Sequence, residues 1–213
     1  RVFRYEASIS SDKFLEDFKK INSDNGIDGI LLFRPLPKHI DEVKLIEVFD
    51  ENKDIDGITY SNIAKVFSGF APCTAKAVME ILESNGIGLS GKKVVVLGRS
   101  MVIGKPVAML ALNQNATVTI CHSKTEDLKK ECKSADVLIV AVGSAKMVTD
   151  EYIKKGAVVI NFIEGKLVGD VDLENVENAK MATPVPKGVG AVTTSVLALH
   201  VVQSALKLKG IKS

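Results

Sequence analysis

The sequence predicts an α/β fold in which a parallel-sheet domain follows a smaller α/β domain and a long helix closes the chain. Short apolar runs alternate with amphipathic stretches from end to end. The alternation becomes more regular after Leu89–Lys92, which indicates a domain boundary there. Strands separated by short crossover helices imply a parallel sheet that is covered on both faces.

The first part of the chain predicts the smaller α/β domain. Val2–Tyr5 is strand-like, and Gly29–Phe33 is a continuous apolar run, typical of a strand buried on both faces. Ser10 or Ser11 can cap a helix, because apolar residues follow at helical spacing. Two further helices and one ambiguous stretch complete this part: Ile40–Phe49, Ala75–Asn85 and Asn62–Phe67, in that order.

The rest of the chain predicts strands and helices in alternation. The predicted strands are Val94–Leu97, Ala116–Cys121, Val137–Val142, Val158–Phe162 and Met181–Val185. The predicted helices are Gly104–Leu112, Thr125–Cys132, Thr149–Lys154 and the closing helix Val192–Lys209, which Gly210 ends. These elements suggest domains over residues 1–90 and 91–190 and a C-terminal helix over 191–213.

Composition argues against several classes of partner. The formal net charge of +2 is too small to indicate nucleic acid or an anionic membrane surface. No uninterrupted apolar run approaches the roughly 18 residues of a membrane span. The three cysteines form neither a CxxC pair nor a ligand cluster. We therefore expect no metal site, and free thiols in a reducing cytoplasm.

The most informative stretch is VVVLGRSMVIGKP, residues 94–106. A buried strand leads into Gly98 at a tight turn, and Gly104 then begins a helix. In this geometry a pyrophosphate can meet unpaired backbone N–H groups at a helix N-terminus. The spacing of the two glycines is not that of the G-x-G-x-x-G fingerprint, and a glycine turn also occurs for structural reasons alone.

The end of the second predicted strand bears on the choice of nicotinamide cofactor. Sites that select NAD usually place a carboxylate there, on the ribose 2′-hydroxyl. Here the strand ends in Cys121-His-Ser-Lys124, with no acid before Glu126. Ser123 can donate a hydrogen bond to a 2′-phosphate, and Arg99 offers a cation on the neighbouring turn. The pattern favours NADP. The alternative is that Arg99 and Lys124 are solvated surface charges and that His122 is a neutral hydrogen-bonded residue.

The residues of this turn also resemble a known family. GRSMVIGKP is similar to the GRSxxVGxP signature of the methylenetetrahydrofolate dehydrogenase/cyclohydrolase family. Further blocks match family segments in collinear order: Ile27–Ile40, Lys53–Gly57, Ala71–Val78, Ala116–Thr125, Asp136–Gly143, Leu167–Asp172 and Ala182–Thr193. The similarity therefore extends from near the start of the chain to its end.

The resemblance implies an activity and a set of site residues. The family oxidises 5,10-methylenetetrahydrofolate with a nicotinamide cofactor and hydrolyses the methenyl product to 10-formyltetrahydrofolate. The resemblance also implies a catalytic domain, a Rossmann-type cofactor domain, a closing helix that returns to the first domain, and a homodimer. The implied cofactor residues, for NADP, are Gly98, Arg99, Ser100, Ser123 and Ile163. The implied residues on the folate side are Asp56, Pro184 and Gly188. The resemblance also implies that Asp56 is a catalytic residue.

The chain departs from the family pattern on the folate side. The family's proton-handling lysine, in a YxxxK motif, does not occur in these 213 residues. Phe33 stands where the family has an amide, and the loop at Asn161–Glu164 is shortened. The chain begins at Arg1 without an initiator Met, which indicates a longer polypeptide whose beginning is not included.

Three functional hypotheses remain from the sequence. The first is an NADP-linked dehydrogenase, with or without cyclohydrolase activity. The second is a relative that binds NADP(H) without turnover, and the third, with no motif of its own, is an unrelated dehydrogenase on this fold. Because the substitutions concentrate on the folate side, we predict NADP(H) binding with little or no cyclohydrolase activity. Lys187 either pairs with the glutamate tail of folate or is a solvated loop charge.

Overall fold

The computed structural model describes residues 1–162 and 168–211. By its internal contacts the chain forms two compact units, one over Arg1–Asn62 with Leu197–Ser213 and the other over Ile63–Val196. These units differ from the domains predicted above, because the helix at Cys73–Ser84, assigned there to the first domain, packs against a helix of the second unit. The functional division of the chain at residues 90 and 190 stays a prediction.

The first unit is built mainly from helices. Helix α1 spans Ser11–Ser23, and Ser10 caps it by accepting a hydrogen bond from the Lys13 N–H. Helix α2 spans Glu42–Val48, and α3 spans Tyr60–Ala64 at the border between the units. Phe18 of α1 meets Phe49 edge to face, with ring centroids 5.1 Å apart, in the core of this unit.

The two strands predicted in the first unit are wrong. Val2–Tyr5 has no strand structure, and within Gly29–Phe33 only Ile30 pairs, through an isolated parallel bridge to Asp54. An apolar run becomes a strand only where a neighbouring strand satisfies its backbone groups. Leu32 is buried in the core, whereas Phe33 is exposed, so the predicted burial holds for one residue of this run and not for the run as a whole.

The second unit contains the predicted parallel sheet, whose strands lie in the order β2-β1-β3-β4-β5. The strands are β1 Lys93–Leu97, β2 Thr117–Cys121, β3 Val137–Val140, β4 Val158–Asn161 and β5 Met181–Ala182. The helices are α4 Cys73–Ser84, α5 Gly104–Asn113 and α6 Leu128–Lys133, with short 3-10 helices at Lys65–Ser68, Asp150–Tyr152 and Leu173–Asn175. Strands β3 and β4 are buried along their whole length, as their continuous apolar sequences predicted. The predicted α/β fold with a parallel sheet is confirmed.

The closing helix α7 spans Val189–Leu208 and begins earlier than predicted. By length and composition it is the one described helix that could cross a membrane. Its apolar sequence is not continuous, because threonines, serines and a histidine lie among the apolar residues, so the absence of a long apolar run did not exclude such a helix. Such a helix is weak evidence, since core helices of soluble proteins share these properties, and the absence of a membrane partner stays a prediction.

We expect none of the three thiols to react in the native protein and all three to react after unfolding. Cys73, Cys121 and Cys132 are fully buried. Burial raises the pKa of the Cys132 thiol to about 12 and also raises the pKa of Cys121, so reactive thiolate is scarce near neutral pH. A colorimetric thiol titration with and without denaturant measures this, and rapid labelling of the native protein would contradict it.

Candidate functional site

The turn after β1 brings backbone segments into contact that only glycine permits. Gly98 has φ +127°, and a Cβ atom placed on it would lie 2.3 Å from the carbonyl oxygen of Ala141. A Cβ atom on Gly104 would lie 2.3 Å from the carbonyl oxygen of Gly98. The two glycines therefore let the turn fold against both β3 and the start of α5, as close backbone approach requires.

Ser100 organises the start of α5. Its hydroxyl oxygen accepts hydrogen bonds from the N–H groups of Ile103 and Gly104, and its carbonyl oxygen accepts one from Lys105. The helix N–H groups that the sequence predicted to be unpaired are thus satisfied by Ser100. Among the described residues, the backbone N–H groups of Arg99 and Met101 have no acceptor. A phosphate would meet these turn donors and the Ser100 hydroxyl proton, with the helix dipole behind them.

The end of β2 lies beside this turn. The Gly98 N–H donates to the carbonyl oxygen of Cys121, since β1 and β2 pair in parallel up to Leu97 and Cys121. Ser123 and Arg99, each two residues beyond its strand, therefore share the carboxyl edge of the sheet, and both are exposed. In the described part of the chain, no carboxylate lies within ion-pair distance of Arg99. Among the described residues, the Arg99 guanidinium is therefore free of a carboxylate partner and can pair with a phosphate.

The loop at the end of β2 is held by its own side chains. The Thr125 hydroxyl oxygen accepts a hydrogen bond from the His122 N–H at 2.8 Å, and His122 Nδ1 accepts one from the Lys124 N–H at 3.1 Å. Because Nδ1 is an acceptor, the neutral imidazole carries its proton on Nε2. His122 is therefore a hydrogen-bonded residue of this loop. This turn also explains why α6 begins at Leu128 and not at Thr125.

A buried carboxylate fixes the loop after β3 at the same edge. Asp170 is fully buried, and its Oδ2 accepts hydrogen bonds from the N–H groups of Val142 at 2.6 Å and Gly143 at 2.9 Å. This loop continues from Ala141, whose carbonyl oxygen is packed against Gly98. Asp170 was not singled out from the sequence. Its Gly-Asp setting within LVGDVD was the available signal, but the partners lie 27 and 28 residues away.

In the first unit, the loop that carries Asp56 is anchored by Asp54. Asp54 is buried, with Oδ1 accepting from the Gly57 N–H and Oδ2 accepting from the Thr59 N–H and the Asn62 side-chain amide. Asp56 itself is half-buried. The Lys53-Asp-Ile-Asp56 pattern thus contains one buried carboxylate that organises the loop and one that is half-buried.

Two more buried polar residues hold this loop. The Lys53 ammonium donates to the carbonyl oxygens of Asn22 at 2.7 Å and Asp24 at 2.8 Å. His200 Nδ1 lies 2.9 Å from the carbonyl oxygen of Ile55 and is buried. Neither Lys53 nor His200 was singled out from the sequence, because their partners are distant along the chain. Asp56 is therefore presented by a rigid loop.

The predicted substrate loop is tightly folded in the second unit. A Cβ atom on Gly188 would lie 2.1 Å from the carbonyl oxygen of Pro184, so Gly188 is required for the close approach of these two residues. Lys187 has φ +74°, Val185–Pro186 is a cis peptide, and Pro184 and Lys187 are exposed. The structure thus places Pro184 and Gly188 in one turn, and the two interpretations of Lys187 both remain.

The remaining predicted residues divide between the two units and the segment outside the described ranges. Ile163 lies outside the described residues. Phe33, which replaces the family's amide, is 78% exposed and offers no hydrogen bond from its side chain. Over residues 1–162 and 168–211, no group of three or more His, Cys, Asp or Glu side chains could hold a metal ion. The functional roles assigned to the individual site residues stay predictions.

The chain matches known sequence families along most of its length. Residues 72–209 match the family described as tetrahydrofolate dehydrogenase/cyclohydrolase, NAD(P)-binding domain. Residues 1–56 match the corresponding catalytic domain. Among curated proteins, the chain is 50% identical over 221 residues to the bifunctional protein FolD of Clostridioides difficile, an alignment that covers 99% of this chain and 77% of that protein.

Solved structures agree with these matches. A 5,10-methylenetetrahydrofolate dehydrogenase from the silkworm Bombyx mori has a TM-score of 0.92 and 35% identity, covering 98% of this chain and 78% of that one. The dehydrogenase-cyclohydrolase of Trypanosoma brucei, complexed with NADP cofactor and inhibitor, has a TM-score of 0.88 and 34% identity, covering 94% and 74%. The family resemblance that the sequence motifs indicated is confirmed.

Proposed function

The chain belongs to the tetrahydrofolate dehydrogenase/cyclohydrolase family, and on that premise we propose that it is an NADP-dependent methylenetetrahydrofolate dehydrogenase with methenyltetrahydrofolate cyclohydrolase activity. In the first step a hydride leaves the methylene bridge of 5,10-methylenetetrahydrofolate and is accepted by NADP+. In the second step, water adds to the resulting methenyl group, the ring opens to 10-formyltetrahydrofolate, and a proton is released.

The observation that carries this proposal is the carboxyl edge of the sheet. The glycine turn at Gly98, the Ser100 hydroxyl and the acid-free end of β2 at Ser123 together fit a phosphate-bearing dinucleotide. Arg99 and Ser123 would hold the 2′-phosphate of NADP, and the turn N–H groups would bind the pyrophosphate. NADP+ supplies the hydride acceptor when it is bound.

On the folate side, the rigid loop around Asp54 supports a binding role for Asp56. A carboxylate accepts hydrogen bonds from the N–H groups of a pterin ring, and Asp56 lies on a loop that Asp54 fixes from the buried side. A fixed loop costs little entropy when the ligand binds. In the second unit, the tight turn at Gly188 supports a folate-binding role for Pro184 and Gly188. We also propose a homodimer, which light scattering would measure, and a cytoplasmic location, which the three buried free thiols support.

Two assays on the purified chain test the proposal. Absorbance of NADPH formed from methylenetetrahydrofolate reports the dehydrogenase, and loss of methenyltetrahydrofolate absorbance reports the cyclohydrolase. NADPH formation that requires protein and substrate is the expected result, and its absence with tight NADP+ binding would refute the dehydrogenase activity.

The second candidate function is NADP(H) binding without cyclohydrolase turnover, which Phe33 at the family's amide position favours. A dehydrogenase rate without a cyclohydrolase rate would support it.

We expect Ser123→Asp to weaken NADP binding by at least about tenfold and to leave NAD binding unchanged or stronger. The new carboxylate would stand beside the 2′-phosphate at the end of β2, and like charges this close cost about 1 kcal/mol or more. Titration of both cofactors by calorimetry measures the change. Ser90→Asp, an exposed residue before β1, adds the same charge at the opposite edge of the sheet and is the matched control. Equal NADP affinity in both variants would contradict the assignment.

A further inference from the structure

A basic cleft lies at the amino edge of the sheet, on the side of the second unit opposite the cofactor turn. Its volume is about 350 Å³, which is the size of a small-molecule site. Four lysines from three loops line it: Lys92 before β1, Lys154 and Lys155 before β4, and Lys180 before β5. Val137, Ala157 and Val158 form its buried floor.

The charges in the cleft do not cancel. Asp136 is the one carboxylate among the lining residues. Its Oδ1 pairs with the Lys154 ammonium at 2.6 Å, and its Oδ2 accepts a hydrogen bond from the Lys93 N–H at 2.9 Å. These contacts, the first above all, hold the pKa of Asp136 below its usual value, so it is ionised at neutral pH. The lining side chains then carry a net charge of +3.

Three of the four ammonium groups are available to a ligand. Within the described ranges, Lys92, Lys155 and Lys180 have no carboxylate within ion-pair distance, and all three are exposed. Their presentation around one concavity concentrates positive potential there, because a cleft with low-dielectric walls focuses the field. An anion bound in the cleft would be attracted by the ammonium groups of all three lysines.

The cleft is separate from the cofactor edge. The strands are parallel, so the residues that precede them lie at one edge and the turn at Gly98 lies at the other. A five-residue strand such as β1 spans on the order of 15 Å at its rise of about 3.3 Å per residue. A dinucleotide whose phosphates are bound at Gly98 therefore leaves the cleft open to a second ligand.

We propose that this cleft is a second anion site that binds a small molecule carrying two or more linked phosphate groups. Lysine ammonium groups bind phosphate oxygens as compact point charges, and linked phosphates can contact several of them at once. The volume of the cleft matches a small-molecule ligand, and a single phosphate would leave part of the positive charge unmatched. The proposal goes beyond the dehydrogenase activity and does not depend on it.

The test is calorimetric titration of the chain with inorganic tripolyphosphate in the presence of one equivalent of NADP+, which occupies the cofactor edge without leaving an excess of linked phosphates to compete at the cleft. The chain is expected to bind it, and the double variant Lys155→Gln/Lys180→Gln should bind at least about tenfold more weakly, since about 1.4 kcal/mol corresponds to tenfold. Lys155→Arg/Lys180→Arg keeps both charges and should retain binding within about threefold. Lys19→Gln/Lys207→Gln removes the same charge from exposed helix positions of the first unit and is the matched control.

Several results would overturn the proposal. These are no binding to the unaltered chain, equal weakening in the Lys19/Lys207 control, and citrate binding as tightly as tripolyphosphate, which would indicate general anion attraction. Tighter binding of a short DNA duplex would point to a macromolecular partner. Thermal unfolding of each variant separates lost binding from lost folding. NADPH formation should be equal in all variants, so a failed dehydrogenase assay and a failed cleft titration are distinguishable.

Discussion

Gly98→Ala is expected to weaken NADP binding by at least about tenfold and to lower the free energy of unfolding by about 2–6 kcal/mol. Two separate costs combine at this residue. Alanine at φ +127° is strained, at about 1–3 kcal/mol. Its Cβ atom would also lie 2.3 Å from the carbonyl oxygen of Ala141, and overpacking of this kind costs about 1–3 kcal/mol.

The binding loss follows from where the strain must be relieved. Both atoms of the close contact are fixed to the backbone, so no flexible side chain can move away. Either the turn that begins at Gly98 shifts or the loop after β3 shifts, and both belong to the carboxyl edge that we assign to NADP. A displacement of the turn N–H groups away from the pyrophosphate weakens each of these hydrogen bonds, and about 1.4 kcal/mol is tenfold in affinity.

Gly88→Ala is the matched control for this variant. A Cβ atom on Gly88 would meet no other atom within 4 Å, and Gly88 does not need a positive φ, so the same chemical change should be neutral or slightly stabilising. Urea unfolding gives the stability change, and calorimetric titration with NADP+ at a temperature where both variants are folded gives the affinity. Normal NADP affinity in folded Gly98→Ala would refute the assignment of this turn to the cofactor.

The parts of the fold that could be predicted are those whose cause lies in the local sequence. Buried strands such as β3 and β4 are continuous apolar runs, and the strand–glycine–helix order around Gly98 follows from the residue types themselves. The run Gly29–Phe33 has the same local appearance but lacks a neighbouring strand, so it forms no strand, and of its five residues only Leu32 is buried while Phe33 is exposed.

The site was predicted in part for a similar reason. Gly98, Ser100 and Ser123 lie on or beside the motif that carries the family resemblance, and the structure brings them to one sheet edge. Asp54 and Asp170 act through N–H groups that they reach only in the folded chain, so no spacing rule finds them. The basic cleft likewise combines lysines that lie up to 88 positions apart in the sequence, from Lys92 to Lys180.

Asp170→Ala is expected to lower the free energy of unfolding by about 2–4 kcal/mol and to weaken NADP binding without a matching fall in kcat. The substitution removes the carboxylate acceptor of the Val142 and Gly143 N–H groups, and loss of a charge-assisted buried hydrogen bond costs about 1–3 kcal/mol. The loop then loses its anchor beside the cofactor edge. Asp170 touches no substrate in this assignment, so it is a positioning residue.

Steady-state kinetics and unfolding together distinguish positioning from a purely structural role. A rise in the KM for NADP+ at unchanged KM for folate indicates that the loop serves the cofactor, whereas a purely structural role would change stability alone. Asp170→Asn keeps one acceptor oxygen and should restore part of the NADP affinity. Glu174→Gln, which removes an exposed carboxylate that pairs with Lys146, is the control and should change stability by no more than about 0.5 kcal/mol.

Gly98 and Asp170 act on the same peptide from opposite ends, and this gives the sharpest test of both. Gly98 packs against the carbonyl oxygen of Ala141. The Asp170 carboxylate accepts hydrogen bonds from the next two N–H groups, those of Val142 and Gly143. Once either contact is lost, the loop can already relax, so the second substitution should remove less binding free energy than it does alone. We expect the double variant to fall short of additivity by about 0.5–3 kcal/mol. Strict additivity would mean that the two residues hold independent parts of the site.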